Sequence, residues 1–136
     1  MALVQVSSNA SWFGQDVAIR QFQLTADEPA AIGGDDRGPT PTEFLLAGLG
    51  SCKAITIQMY AERKGWSVDR VGVVADLKTV DRQSIIEVRL TLAGDLTEEQ
   101  RQRLREIGDR CPVHRLLSAG TEIRTLLTPP ANPLTA

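Results

Sequence analysis

One long helical segment constrains the fold of this chain more than any other feature. Thr40 can cap the segment, Pro41 suits its first turn, and Glu43 stands at capping-box spacing from Thr40. The helical pattern continues to Lys64 and ends at Gly65. Because apolar residues spread round much of its circumference, we predict that it is a buried central helix.

Short segments of alternating apolar and polar residues predict antiparallel strand pairs on both sides of this helix. The predicted strands cover residues 3–8 and 17–25, with a turn near 12–15, then a hairpin of 68–80 and 85–93 with its turn at DRQS, and a last strand at 122–127. A second helix follows Thr97 and reaches about Arg110, and a short one runs from Pro112 to Gly120. The order ββ–α–ββ–α–(α)–β favours an α+β fold, and 136 residues fit a single domain over 1–136.

Charge and hydropathy exclude several classes of partner. A net charge of −2 gives no electrostatic reason to expect nucleic acid or an anionic membrane. The N-terminal residues lack a basic region followed by a long apolar run, so we expect no signal peptide. The segment 45–57 is interrupted by glycine, serine and lysine, and we expect it to be too short and too polar to span a membrane. We therefore predict a cytoplasmic protein whose cysteines are reduced thiols or a redox pair.

Two cysteines, Cys52 and Cys111, are the main candidates for chemistry. Cys52 lies in the long helix among small residues that would let a substrate or another backbone approach, namely Gly48, Gly50, Ser51 and Ala54. From its spacing alone, a small buried core residue is the favoured interpretation of Cys52. Cys111 precedes Pro112 at a helix N-terminus, where the helix dipole can lower the pKa of a thiol. A capping-region residue with no chemical role is the alternative for Cys111.

The remaining motifs predict neither a metal site nor a cofactor site. The two cysteines do not form a CxxC motif, and with one histidine they do not form a zinc site. Gly33 and Gly34 lack the preceding strand and the spacing of a phosphate loop. His114 can pair with Cys111 three residues earlier, although a half-buried helix residue explains it as well. The Gly-, Pro- and Asp-rich loop before Thr40 is long enough to be functional.

Three stretches resemble the OsmC/Ohr superfamily of osmotically inducible and organic-hydroperoxide-resistance proteins: PTEFLLAGLGSCKAI, the helix that follows it, and CPVHRLL. The predicted element order extends this resemblance over nearly the whole chain. It implies an OsmC-like α+β fold, with antiparallel sheets packed on the long central helix and two chains intertwined as a homodimer. It also implies thiol-dependent reduction of organic hydroperoxides, with an external dithiol, in the family often a lipoyl group on a protein, as the reductant.

The resemblance further implies roles for individual residues. Cys52 is the peroxidatic thiol, and Cys111 is the resolving thiol that converts a sulfenic acid to a disulfide. The family holds its thiolate with a loop arginine and holds that arginine with a glutamate at the helix start. The candidates in this chain are Arg37 and Glu43, with Arg20 as the alternative arginine.

The chain departs from the family pattern at the start of the helix. In the best-known hydroperoxide reductases the glutamate directly follows the proline, whereas here Thr42 takes that place. This departure places the chain nearer the OsmC-like branch with the CPVHR form, in which His114 or Arg115 is a further candidate for holding a thiolate.

Two rivals to the peroxidase remain open at this stage. The same fold can form a ligand-binding or redox-sensing dimer without catalysis, or a structural dimer in which both cysteines are core packing. The apolar residues near Cys52, namely Leu49, Ile55 and Met59, favour a fatty or aromatic hydroperoxide as the substrate of a peroxidase.

Overall fold

The computed structural model describes residues 2–130 and confirms the predicted α+β class. The described chain divides into two compact units. The first comprises the described residues up to Phe44 together with those from Ile123 onward, and the second comprises Leu45–Glu122. The prediction of one domain over 1–136 stays a prediction.

The first unit contains a three-stranded antiparallel sheet of β1 (Gln5–Ser8), β2 (Gln15–Ile19) and β3 (Phe22–Ala26). The prediction of a single strand over 17–25 is wrong, because Ile19 pairs with Phe22 across a two-residue turn. Arg20 adopts the left-handed region there with φ +52. Such a turn normally contains glycine or asparagine. Neither is present here, so no residue marks the break between the two strands.

A buried carboxylate organises the long loop between β3 and the central helix. Asp27 is 1% exposed, and it accepts hydrogen bonds from the backbone N–H groups of Glu28 (2.8 Å) and Arg37 (3.1 Å). These bonds close the loop, which includes a short 3-10 turn at Ala30–Ile32. The hydrogen bond from Glu28 is the largest influence on Asp27, and together with the Arg37 and Asp35 amides it outweighs desolvation and lowers the pKa of the carboxyl.

The central helix α1 (Pro41–Lys64) begins and ends where the sequence predicts. The predicted capping box is present: the Glu43 carboxylate accepts from the Thr40 N–H at 2.8 Å, and the Thr40 hydroxyl accepts from the Glu43 N–H at 3.2 Å. By length and composition alone α1 could cross a membrane, against the sequence expectation for this segment, but the core helices of soluble proteins pass the same test.

Burial along α1 is confined to one stripe rather than spread round the helix as predicted. The stripe consists of Leu49, Lys53, Ile57 and Ala61, one residue every fourth position. Ile57 and Ala61 form the core of the second unit with Leu104, which is fully buried. The remaining apolar circumference stays exposed in this chain, as the 61% exposure of Met59 shows.

A long antiparallel hairpin of β4 (Arg70–Val80) and β5 (Gln83–Ala93) packs on this stripe. Val80 pairs with Gln83 across a tight turn, so the predicted hairpin is confirmed and its loop is shorter than expected. Alternate residues of β5 face inward, and Leu90 and Leu92 pack against the helix core. Period-two alternation thus places one face of the hairpin on α1.

Two further helices complete the second unit, α2 (Glu98–Gly108) and α3 (Pro112–Ala119). Thr97 caps α2 in a full capping box with Gln100, and Cys111 caps α3. The predicted strand at 122–127 is wrong, because residues 120–129 form no helix or strand. A strand needs a neighbour for its backbone hydrogen bonds, and none of the five strands in residues 2–130 pairs with this segment.

Thr97→Ala is expected to destabilise the protein by about 1 kcal/mol, because it removes the acceptor for the Gln100 N–H at the start of α2. Thr97→Ser retains a hydroxyl and is the matched control. Urea unfolding at equal protein concentration measures both. Equal midpoints for the alanine and serine variants would contradict a stabilising role for this cap.

Asp27→Asn is expected to lower the free energy of unfolding at neutral pH, because it removes the negative charge that the loop amides bind. The folded-state pKa of Asp27 lies below its ordinary value of 3.8, so its contribution is complete above that value. The contribution is lost as the pH falls through the folded-state pKa. Urea midpoints of the two proteins should therefore converge at low pH, and a constant gap down to the acid limit would contradict this account.

Candidate functional site

The structure brings Cys52 and Cys111 together within the second unit. Cys52 lies on α1 and is half-buried, whereas Cys111 lies at the start of α3 and is fully buried. Both are free thiols, and Cys52 is among the groups that raise the pKa of the Cys111 thiol, so the two thiols lie close enough to interact. Residues 59 positions apart in the sequence thus come close together, as a peroxidatic and resolving pair requires.

Cys111 is held in place as the N-cap of α3. Its Sγ accepts a hydrogen bond from the backbone N–H of His114 at 3.3 Å, and Pro112 occupies the first helical position. The sequence suggested a lowered pKa at this helix N-terminus, but the structure gives the opposite direction. Burial raises the pKa of the Cys111 thiol, and the hydrogen bond and charge of Cys52 add to this effect. The His114 N–H and the charge of Lys53 act against it without reversing it.

A buried lysine, which the sequence analysis did not identify as a site residue, lies beside this pair. Lys53 is 4% exposed and directly follows Cys52 in α1. Its Nζ lies 3.3 Å from the Gly108 carbonyl oxygen, 2.9 Å from Asp109 Oδ1 and 2.9 Å from His114 Nδ1. An ammonium group has three hydrogens to donate, and here it has three acceptors. The signal that could have identified Lys53 is its charge, because it occupies the second of the four positions that form the buried stripe of α1.

Asp109 supplies the negative charge that balances Lys53. Burial disfavours its charged form, but the hydrogen bond and charge of Lys53 hold the pKa of the carboxyl below its ordinary value. The charges of His114 and Arg105 act in the same direction, and Arg105 lies 3.7 Å from Asp109 Oδ2. Asp109 is half exposed, so its ion pair with Lys53 connects the interior of the second unit to solvent.

The imidazole of His114 faces Lys53, and only its backbone N–H contacts Cys111. A protonated lysine can only donate, so in that state His114 Nδ1 accepts the hydrogen bond from Lys53. His114 therefore belongs to the lysine network, and the side-chain pair with Cys111 that the spacing allowed is replaced by a backbone contact.

Two cavities lie beside these residues in the second unit. An open groove of about 400 Å³ exposes Cys52 and is lined by Gly48, Ser51, Cys52, Ile55, Thr56, Met59 and Pro112. A second cavity of about 390 Å³ contains the lysine network and apolar side chains of β5 and α3, with Leu49, Lys53, Ser84, Ile86, Val88, Asp109, His114, Leu117 and Ser118 as its lining. A Cβ built on Gly48 would meet no atom within 4 Å, so the groove is open above that position.

The two supporting residues of the sequence analysis belong to the first unit. The backbone N–H of Arg37 binds Asp27, which fixes the loop while the Arg37 side chain is exposed. The Glu43 carboxylate accepts the capping hydrogen bond from Thr40. Arg20, the alternative arginine, lies over the ring of Phe22 at 5.1 Å. A role for any of them beside Cys52 stays a prediction.

Alkylation should distinguish the two thiols. Near pH 8 we expect iodoacetamide to modify the half-exposed Cys52 faster than the buried Cys111, because burial limits access to the Cys111 sulfur and its raised pKa lowers its thiolate fraction. Rates measured on Cys111→Ser and Cys52→Ser proteins isolate each thiol. A faster reaction at Cys111 would contradict its burial and its raised pKa.

Comparisons with known proteins agree with this fold. The chain is similar to the solved OsmC-like protein from Mycoplasma pneumoniae, with 19% identity, a TM-score of 0.74 and 87% of each chain covered. It is similar to the organic hydroperoxide resistance protein OsmC from Legionella pneumophila, with 16% identity, a TM-score of 0.63, and 86% of this chain and 88% of that one covered. For OhrB of Bacillus subtilis the identity is 20% and the TM-score 0.58, over 85% of this chain and 88% of that one.

At these low identities, the TM-scores establish a shared fold alone. No curated protein matched the sequence. The sequence profile described as OsmC-like protein matches residues 33–125, which is more than half of the chain. The chain belongs to the OsmC-like protein family.

Proposed function

We propose that this protein is a thiol peroxidase that reduces organic hydroperoxides through Cys52 and Cys111 in defence against oxidative stress. The proximity of a half-exposed and a buried free thiol, which interact strongly enough for Cys52 to raise the pKa of Cys111, carries this proposal. Membership of the OsmC-like family supports it, as does similarity to proteins named for organic hydroperoxide resistance.

In the first step, the Cys52 thiolate attacks the terminal oxygen of the hydroperoxide. The O–O bond breaks, and the organic alkoxide leaves and takes up a proton to form an alcohol. The sulfur is oxidised to a sulfenic acid and the peroxide is reduced. The half-buried position of Cys52 on an open groove gives a hydroperoxide access to the sulfur.

In the second step, the Cys111 sulfur attacks the Cys52 sulfenic acid. An S–S bond forms, and the hydroxide that leaves combines with the proton of the Cys111 thiol to form water. Because the two thiols lie close enough to influence each other, the sulfenic acid has its resolving partner nearby before a second peroxide arrives. An external dithiol, for which a lipoyl protein is our candidate, returns both residues to thiols in two exchange steps.

The groove beside Cys52 favours a bulky organic hydroperoxide. Ile55 and Met59 contribute apolar side chains to its wall, and the open space above Gly48 leaves room for a substituent. Burial of such a group contributes about 25 cal/mol per Å² of apolar surface, which hydrogen peroxide cannot gain. A fatty or aromatic hydroperoxide is therefore the proposed substrate class.

We place this activity in a cytoplasmic homodimer, with Arg37 and Glu43 as the supporting cation and carboxylate. Large apolar side chains outside this groove that a single chain leaves exposed support the dimer, among them Leu45, Val74, Leu77, Ile85 and Leu116. Free thiols fit a reducing compartment.

The test counts free thiols per chain before and after one equivalent of cumene hydroperoxide. We expect rapid loss of two thiols in the wild type. In Cys52→Ser we expect no rapid loss, because the remaining thiol is buried. In Cys111→Ser we expect loss of one thiol and a mass increase that corresponds to sulfenic or sulfinic acid at Cys52.

Two outcomes would contradict the proposal. No loss over minutes in the wild type would exclude the peroxidase and leave a structural or ligand-binding dimer. Loss of two thiols without turnover when dihydrolipoamide or another dithiol is supplied would instead indicate a redox sensor. Hydrogen peroxide serves as the comparison substrate, and we expect it to react more slowly than cumene hydroperoxide.

A further inference from the structure

We propose that Lys53 is a positioning residue for the thiol pair, which holds the segment 108–114 against α1 and provides the positive charge for the Cys111 thiolate. Nothing in the sequence resemblance assigns a role to this residue. The inference rests on the pairing of Cys52 with Cys111 in the proposed function, and the geometry of the lysine network carries it.

The acceptors of Lys53 lie on both sides of Cys111. Gly108 and Asp109 come shortly before Cys111, at the end of α2, and His114 comes three residues after it, in α3. One ammonium group on α1 therefore binds the segment at both ends. Cys52 directly precedes Lys53 in α1. The contacts of Lys53 therefore also set the distance between Cys52 and the segment that contains Cys111.

The end of α2 is suited to receive this charge. The last carbonyl groups of a helix have no intrahelical partner, and the C-terminal end of the helix dipole is negative. The Gly108 carbonyl is such a group, and Lys53 donates to it. Asp109 adds a full negative charge at the same place.

The charged form of Cys111 needs a compensating charge because the thiol is fully buried. The titratable groups that act on it are Cys52 and Lys53, and Lys53 in turn contacts Asp109 and His114. Lys53 is the buried cation among them, and the imidazole of His114 faces Lys53 rather than the Cys111 sulfur. The charge of Lys53 acts to lower the pKa of Cys111, in opposition to burial.

The test compares Lys53→Met with Lys53→Arg, which retains the charge, and with Lys64→Met, the same change at the exposed end of the same helix. In a Cys52→Ser background, the pH dependence of Cys111 alkylation is measured by mass spectrometry. We expect the Lys53→Met profile to move to higher pH, with about tenfold slower alkylation for each pKa unit. We expect the profile of Lys53→Arg to lie close to the wild-type profile and the profile of Lys64→Met to be the same as the wild-type profile.

A second measurement uses diamide, a thiol oxidant that forms the Cys52–Cys111 disulfide without any hydroperoxide. It takes two electrons and two protons from the thiols and is reduced to the hydrazine. We expect diamide to form the disulfide at least about tenfold more slowly in Lys53→Met, since the thiolate is the attacking species. Circular dichroism and thermal unfolding confirm that each variant is folded.

The outcomes separate this inference from the proposed peroxidase. If cumene hydroperoxide consumes no thiol but diamide forms a lysine-dependent disulfide, the peroxidase fails and the role of Lys53 stands. A folded Lys53→Met protein with the alkylation profile and disulfide rate of Lys64→Met would overturn the inference. Slower disulfide formation in Lys53→Met with no shift of the alkylation profile would also overturn it, because it would indicate a structural role alone. Failure of diamide to form the disulfide in the wild type would overturn it as well.

Discussion

The second unit depends on the enclosure of one positive charge. Lys53 occupies a position in the buried stripe of α1 where an apolar residue would be expected, and a charge without partners there would cost several kcal/mol. Three acceptors from α2 and α3 remove most of this cost. Removal of one partner from a buried pair generally costs about 3–5 kcal/mol, and less here because Asp109 is half exposed. The lysine is therefore compatible with the fold only while α2 and α3 keep their present positions.

Features with a local cause could be predicted from the sequence. The capping boxes at Thr40 and Thr97 depend on residues three positions apart, and both are present in the structure. Pro112 marks the start of α3 because proline fits the first helical position. The hairpin of β4 and β5 follows from alternation along two adjacent segments. In each case, the residues that determine the element lie within it or next to it.

The errors arise where the sequence contains no local signal for the interaction that forms. The turn at Arg20 has no glycine, so the pairing of Ile19 with Phe22 was hidden within an apparently continuous strand. The segment 122–127 has a strand-like pattern but no partner among the five described strands. Lys53 was interpreted as an interruption of an apolar run, because its partners lie more than 50 residues away and adjacency in the sequence gives no sign of them.

The different environments of the two cysteines fit the order of events in the proposed peroxidase reaction. Cys52 is half-exposed on an open groove, so an organic molecule can reach its sulfur, whereas Cys111 is fully buried and its raised pKa keeps it protonated. A protonated thiol reacts poorly with peroxide, so burial protects Cys111 from direct oxidation. Conversion of Cys52 to a neutral sulfenic acid would remove the negative charge that disfavours the Cys111 thiolate. Lys53 would then act without that opposition, so oxidation of the first thiol would itself prepare the second to attack.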